Sequence, residues 1–160
     1  MRFVIAALLI FALNLPTQAE PLSSKLRKVW HKYIHTQATK GPRLARLTAY
    51  WPGDPQGGHY TSRRKSSTGV TLRQGHCAVD PRVIPYGSVV IIKGVGKFTA
   101  VDTGTAIVSR RAARLAGRTA QQRKALVIDL FFPSRAAAKR FTRNAPMFAM
   151  ITWIPPKKRR

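Results

Sequence analysis

Between Leu44 and Ile154 the sequence is divided into short apolar segments by glycine, proline and polar residues. Segments of this length, rich in Val, Ile and Phe and bounded by turn residues, predict β-strands. They are Leu47–Trp51, Ser88–Ile92, Phe98–Asp102, Ala125–Phe132 and Met147–Ile154. Ser88–Ile92 is apolar throughout its last four residues, so we expect it to be buried on both faces. Many short strands with irregular connections favour a small barrel over a layered α/β sheet.

Turn and helix signals separate these segments. Pro52-Gly53-Asp54-Pro55 and Lys93-Gly94-Val95-Gly96-Lys97 predict turns, and 56–67 predicts a polar loop. The alanine-rich stretch Ser109–Lys124 predicts a short helix capped by Ser109. Ser134–Arg143 predicts a second helix, with Ser134 as its N-cap after Pro133.

The N-terminal residues 1–19 have the pattern of a secretory signal. Arg2 precedes the apolar run Phe3–Leu15, and small residues stand at Thr17 and Ala19. A retained membrane anchor is the alternative, but it needs roughly 20 apolar residues, so cleavage is favoured. The predicted locations are therefore the periplasm, the cell envelope or the medium.

The rest of the chain divides into three parts. Residues 20–43 predict an amphipathic helix, Leu22–His35, followed by a linker. Residues 44–154 form the predicted domain, which is large enough for one core. Residues 155–160 are a basic tail.

The chain is strongly basic, with 29 Lys and Arg against five Asp and Glu and a net charge of +24. Such a charge attracts polyanions. Together with export, it indicates anionic envelope polymers or lipids as partners. Nucleic acid is not expected, because basic residues interleaved with aromatic residues and a known binding motif are both lacking. The oligomeric state stays open.

Asp129 lies within the apolar segment Ala125–Phe132. Strand alternation places it on the same face as Val127 and Phe131. Burial there raises the pKa of a carboxyl group, which suits a general acid near neutral pH. A buried aspartate paired with an arginine is an equally strong interpretation.

Two other aspartates adjoin apolar segments. Asp102 ends a predicted strand and runs into Thr103 and Gly104, a geometry found both in sites and in ordinary turns. Asp80 precedes Pro81, and an aspartate before proline commonly starts a turn through its side chain. The structural role is favoured for Asp80.

These segments together resemble one bacterial family, the 3D domain, which is named for three aspartates. The matching segments occur in the family order and span Leu44 to Ile154. They are Thr48–Tyr50, Ser67–Gly69, Ala78–Pro81, Val83–Ser88, Ala100–Gly104, Ala106–Ile107 and Val127–Phe131. The family includes the catalytic part of membrane-bound lytic transglycosylase A and the stationary-phase survival muralytic proteins.

The resemblance implies a mainly β fold, a small six-stranded double-psi β-barrel with short peripheral helices. It implies cleavage of peptidoglycan glycan strands between N-acetylmuramic acid and N-acetylglucosamine, leaving 1,6-anhydro ends, without metal or organic cofactor. Asp129 matches the family's acid, and Asp102 is assigned with it to catalysis. The substrate-binding residues implied are Tyr50, Thr68, Gly69, Asp80, Thr103 and Gly104.

The sequence departs from the family pattern after Asp102. Thr105 stands where a second glycine is usual, Val108 replaces a lysine, and the basic stretch Ser109–Lys124 separates Asp102 from Asp129. The edge of the groove is therefore rebuilt. A non-catalytic cationic module that binds cell wall or another polyanion is the alternative function.

Gly75-His76-Cys77 raises the possibility of a cysteine nucleophile. A reactive thiol needs a base across the site and a lowered pKa. His76 is its chain neighbour and would point the other way on a strand. A buried, incidental Cys77 is therefore favoured. The histidines and acids have no metal-ligand spacing, so no metal site is predicted.

Overall fold

The structure is a computed structural model that describes residues 41–55 and 61–157. The elements, in chain order, are β1 Arg43–Tyr50, β2 His76–Ala78, β3 Val89–Ile92, β4 Gly96–Asp102, α1 Thr105–Val108, α2 Arg111–Ala116, α3 Ala120–Arg123, β5 Leu126–Phe131, α4 Arg135–Asn144 and β6 Phe148–Ile154. None of the helices in these ranges has the length and apolar character needed to span a membrane.

The six strands close into a barrel in the order β1-β5-β2-β4-β3-β6. β1 runs parallel to β5, and β2 runs parallel to β4. The other four pairings are antiparallel. The predicted mainly β fold, a six-stranded barrel with short peripheral helices, is confirmed.

Alternate residues from all six strands form the larger hydrophobic cluster. On β5 these are Leu126, Ile128 and Leu130, and on β3 they are Val90 and Ile92. Because side chains alternate along a strand, residues contributed in this way from every strand fill the barrel interior. The expectation that Ser88–Ile92 is buried on both faces is wrong. Val89 and Ile91 are only half-buried, since among the described residues the outer face of β3 is less covered than its inner face.

A second hydrophobic cluster covers the outer face of the barrel beside β5. Val127 and Phe131, which alternate with the interior residues, pack there with Tyr50, Ile107 and Ala113. Helices α1 and α2 therefore close over this side of the barrel. Asp129 shares the outer face with Val127 and Phe131, as the strand alternation predicts.

Strand limits differ from expectation at the start of the domain. β1 begins at Arg43, four residues before the expected Leu47, because its first half pairs with β6 through Arg43 to Arg46. Arginine side chains in that half hide the apolar signal. β2, at residues 76–78, is an additional strand that pairs with β4 and β5.

Of the two predicted helix caps, one is confirmed and the other is wrong. Ser134 caps α4 as predicted, accepting a hydrogen bond from the Ala137 amide. The prediction of a helix capped by Ser109 is wrong, because that stretch contains separate short helices. Ser109 ends α1, and the residue before α2 is Arg110, in the left-handed conformation with φ of 55°.

The predicted signal at 1–19, the amphipathic helix Leu22–His35 and most of the linker lie outside the described residues. Most of the basic tail does so as well, since the description ends at Lys157.

Candidate active site

A cleft of about 750 Å³ lies on the outer face of the barrel beside β1 and β5. Its floor carries Arg46, Thr48 and Tyr50 of β1 and Val127 and Asp129 of β5. The parallel register of the two strands sets Thr48 directly beside Asp129. One side of the cleft is formed by residues 103–112, and the other by the end of α4 and the residues that follow it.

Asp129 lies in this cleft, on the face of β5 that carries the second hydrophobic cluster, and it is partly buried there. Burial raises the pKa of its carboxyl group to about 7, and the negative charges of Asp54 and Asp102 act in the same direction. A hydrogen bond with the Thr48 hydroxyl and the charge of Arg46 oppose that rise. The carboxyl group can therefore exchange a proton near neutral pH.

Asp102 is held by three donors at the end of β4. Its Oδ1 accepts hydrogen bonds from the backbone amides of Ser67, at 2.7 Å, and Thr103, at 2.9 Å. Its Oδ2 accepts the Tyr50 hydroxyl at 3.1 Å. The Tyr50 ring also packs edge-on against Phe131 at 5.4 Å. Asp102 thus ties the loop at 66–69 and the start of the next segment to the cleft floor.

Three buried polar side-chain atoms within the described residues lack a hydrogen-bond partner. They are Arg46 Nε, Thr103 Oγ1 and Asp129 Oδ1. All three residues line the cleft. Buried polar atoms are normally hydrogen-bonded. A group of unpaired polar atoms in one cleft is therefore typical of a site that binds a ligand or water.

Arg46 is a cleft residue that the sequence interpretation missed. One of its guanidinium nitrogens, Nη1, donates to the carbonyls of Leu47 and Met147, and the group lies 5.9 Å from the centre of the Phe148 ring. Burial lowers the pKa of Arg46, and the charge of Asp129 opposes that effect. Strand alternation could have predicted the position of Arg46, because Arg46, Thr48 and Tyr50 share one face of a strand.

The interpretation of Asp129 as one half of an ion pair is not supported. The Arg46 guanidinium donates to carbonyl oxygens, and no arginine within 41–55 and 61–157 forms an ion pair with Asp129.

Asp54 is the second missed residue. It follows β1 in the turn at Pro52–Asp54, where its amide bonds to the Trp51 carbonyl at 3.0 Å. Its side chain lines the cleft with Asp102 and Asp129. Three of the five acids of a chain with net charge +24 therefore line one cleft.

The structure brings together five of the sequence-predicted site residues. The cleft is lined by Tyr50, Asp102, Thr103, Gly104 and Asp129.

The other three, Thr68, Gly69 and Asp80, are not among the residues that line the cleft. Thr68 donates to the Val101 carbonyl at 2.7 Å, and Gly69, with φ of 80°, closes a turn to Ser66. Asp80 makes a two-point ion pair with Arg82, at 3.0 and 2.9 Å, which holds the pKa of its carboxyl group below the usual value. It also starts a turn, as its position before Pro81 predicts.

Cys77 is fully buried in the barrel interior, as expected. Burial raises the pKa of its thiol to about 12, and the charge of Asp129 adds to this. A thiol in that state is a poor nucleophile. We therefore expect Cys77→Ala to retain any activity on the cell wall and to lose only about 1 kcal/mol of stability. Loss of turnover with an unchanged melting temperature would contradict this.

The cleft offers proton-transfer chemistry. Two further carboxylates, Asp54 and Asp102, line the cleft with Asp129, together with the hydroxyl groups of Tyr50 and Thr48. No three side chains of His, Cys, Asp or Glu in the described part of the chain are placed to share a metal ion.

Comparison with known protein families gives a match over part of the chain. The sequence family described as the 3D domain matches residues 76–125, which include β2, β4, Asp80 and Asp102. The predicted resemblance is thereby confirmed for this segment.

Two proteins of Bacillus subtilis strain 168 are similar over part of the chain. YabE, named for cell wall shaping, is 36% identical over 80 residues, which cover 48% of this chain and 16% of YabE. YocH, named as a cell wall-binding protein, is 36% identical over 77 residues, which cover 46% of this chain and 21% of YocH. The chain thus matches less than a quarter of either relative's length.

Proposed function

We propose, from the premise that residues 76–125 form part of a 3D domain, that this protein acts on the bacterial cell wall as a lytic transglycosylase. The substrate is the glycan strand of peptidoglycan. The bond cleaved joins N-acetylmuramic acid to N-acetylglucosamine, and the product carries a 1,6-anhydro end.

The observation that carries the proposal is the state of Asp129. Its carboxyl group lies in an open cleft and has its pKa raised to about 7, mainly by burial. A general acid must be protonated before the reaction and ionised after it, which requires a pKa near the working pH. Among the described residues, Asp129 is the carboxyl group in the cleft whose pKa is raised in this way.

A single carboxyl group suffices for this reaction. Asp129 gives its proton to the glycosidic oxygen as the bond from that oxygen to C1 of N-acetylmuramic acid breaks. The 6-hydroxyl of the same sugar then forms a bond to C1, and its proton returns to the Asp129 carboxylate. Hydrolysis, by contrast, uses two carboxyl groups in separate roles.

The other cleft residues support this step. The partly positive sugar that develops at C1 is favoured by the nearby charges of Asp54 and Asp102. Thr103 Oγ1, which is buried without a partner, is available to a sugar hydroxyl or acetamido group. We assign substrate contacts to Tyr50, Thr103 and Gly104, and indirect support of the loops to Thr68, Gly69 and Asp80.

The relatives' names support a place at the cell wall. YabE is named for cell wall shaping and YocH for cell wall binding, and both align with this chain over nearly half its length. We propose that the chain is exported to the envelope. There its large positive charge would hold it on anionic wall polymers or lipids.

A binding module without catalytic activity is the second candidate, favoured by the name of YocH. Digestion of purified sacculi separates the two functions. The transglycosylase releases anhydro-muropeptides, which are identified by mass, whereas a binding module only sediments with the sacculi. Binding without any release at pH 5 to 8 would refute the enzymatic proposal.

Asp54→Asn is expected to shift the pH dependence of release. Asp129 must be protonated to act, so release falls as pH rises through its pKa of about 7. The charge of Asp54 contributes to that raised pKa, and its removal lowers the pKa. We expect the alkaline limb of the pH–rate profile to move to lower pH, with activity retained at pH 5. An unchanged limb would show that Asp54 does not act on Asp129.

A further inference from the structure

The segment between Asp102 and Asp129 forms a separate side of the cleft. We call residues 105–124 the helical insert, which contains α1, α2 and α3. The insert residues that line the cleft are Thr105, Ala106, Ile107, Ser109, Arg111 and Ala112. The insert therefore faces the strand-borne floor, where Asp129 lies.

The insert is tightly packed on the barrel. Ala113 is fully buried, and Ile107 is 7% exposed in the second hydrophobic cluster. A Cβ atom at Gly117 would lie 2.6 Å from the Arg123 amide nitrogen, so α2 and α3 meet at that point. Thr119 and Gln122 form a capping box at the start of α3. This side of the cleft is preformed.

The bend that starts α2 is also fixed. Arg110 adopts the left-handed conformation, with φ of 55°, which is uncommon outside glycine. Its guanidinium donates to the Lys124 carbonyl at 2.9 Å and so ties the beginning of the insert's second helix to the insert's end. The next residue, Arg111, lines the cleft.

Charges are unevenly divided between the floor and the insert. Of the carboxylates that line the cleft, Asp102 and Asp129 belong to barrel strands and Asp54 to the turn after β1. The basic residues of the described lining are Arg46 and Arg111. The Arg46 guanidinium donates to two carbonyls, whereas the Arg111 side chain is exposed and makes no hydrogen bond or ion pair within the described ranges.

We propose that Arg111 is a specificity-determining residue that binds a carboxylate carried by the glycan substrate. The inference rests on the proposed function and names the chemistry of the substrate's substituent. A guanidinium pairs with a carboxylate through two parallel hydrogen bonds, which fixes orientation as well as affinity. The floor repels the same carboxylate, so the acidic substituent turns to the insert and the neutral sugar ring faces Asp129.

The test uses one glycan in two charge states. Soluble end-labelled strands with free carboxylates are compared with the same strands after carbodiimide coupling to methylamine, which neutralises the carboxylates. We expect Arg111→Gln to raise Kd and KM for the acidic strands about tenfold, as for loss of a hydrogen bond to a charged group, and to leave kcat within about twofold. The same variant is expected to bind the neutralised strands as the wild type does.

Arg114→Gln is the matched control, because Arg114 is an exposed arginine of the same helix that does not line the cleft. It should change neither affinity. An equal loss by Arg111→Gln on both strands, or no loss on either, overturns the proposal. Competition by poly(glycerol phosphate) that depends on Arg111 and exceeds that of the acidic strands would also overturn it, by reassigning the residue to phosphodiesters.

Failure of the proposed function has a different signature. If the wild type releases no anhydro ends, Kd still reports on Arg111. A tenfold difference between the two charge states, lost in Arg111→Gln, would then support the carboxylate site in a protein that binds without cleaving. If the wild type releases anhydro ends equally well from acidic and neutralised strands, only the proposed role of Arg111 is refuted.

Discussion

Asp129→Asn is expected to lower the release of anhydro-muropeptides from sacculi by at least about 100-fold, the usual contribution of a positioned general acid. Asparagine has nearly the same shape and fits the same place beside Thr48. It cannot give up a proton near neutral pH. The measurement is mass analysis of soluble products after equal times with equal protein, at pH 6, where Asp129 is largely protonated.

The pH dependence of stability is the control that the Asp129→Asn variant is folded. The native pKa of about 7 lies above the ordinary aspartate value of 3.8, so the wild type loses stability as pH rises between these values. The amide does not ionise, so the stability of the variant should not fall in this way. In thermal denaturation its melting temperature should therefore rise relative to that of the wild type from pH 4 to pH 7. Binding to sacculi should persist. Release at more than a tenth of the wild-type rate would refute the assignment of Asp129.

Asp102→Ala is expected to destabilise the barrel by about 3 kcal/mol, since it leaves up to three donors unsatisfied at a cost of about 1–3 kcal/mol for each that stays buried. These donors are the backbone amides of Ser67 and Thr103 and the Tyr50 hydroxyl. Denaturant unfolding of the purified variant measures the loss.

Two milder variants separate the hydrogen bonds from the charge. Asp102→Asn keeps one oxygen, which can still accept both amides, and should lose less than half as much stability. Tyr50→Phe removes one hydrogen bond and should cost about 1 kcal/mol. Equal destabilisation by Asp102→Asn and Asp102→Ala would show that charge, and not the hydrogen bonds, is what stabilises the loop at 66–69.

The strands with a clear apolar signal were predictable. β4, β5 and β6 match segments of apolar residues, and β3 ends at the predicted turn. β2 was not predicted because it has three residues, all buried, and so shows no alternation. It forms only because the barrel holds β4 and β5 on either side of it. The cap at Ser109 was misplaced because the left-handed Arg110 leaves no local sign in the sequence.

The candidate site was predictable where it depends on one strand. The alternation of β5 gives the face of Asp129, but not which elements cover that face. Asp54 lies in the turn after β1 and Arg111 belongs to the helical insert, and the packing of the whole domain decides that this turn and this helix border the cleft. Thr68 and Asp80 adjoin site segments in sequence, but their side chains are bonded elsewhere, to Val101 and Arg82.

The position of β1 in the barrel also governs how the chain can fold. Its hydrogen-bonded neighbours are β5 and β6, so Tyr50 pairs with Phe131 and Arg43 with Ile151. A nascent chain emerging from the ribosome therefore has no strand partner for β1 until β5, at Leu126–Phe131, has been synthesised. Such non-local pairing makes folding slow, on the order of milliseconds to seconds. The ring of strands thus closes only after both β5 and β6 are available to β1.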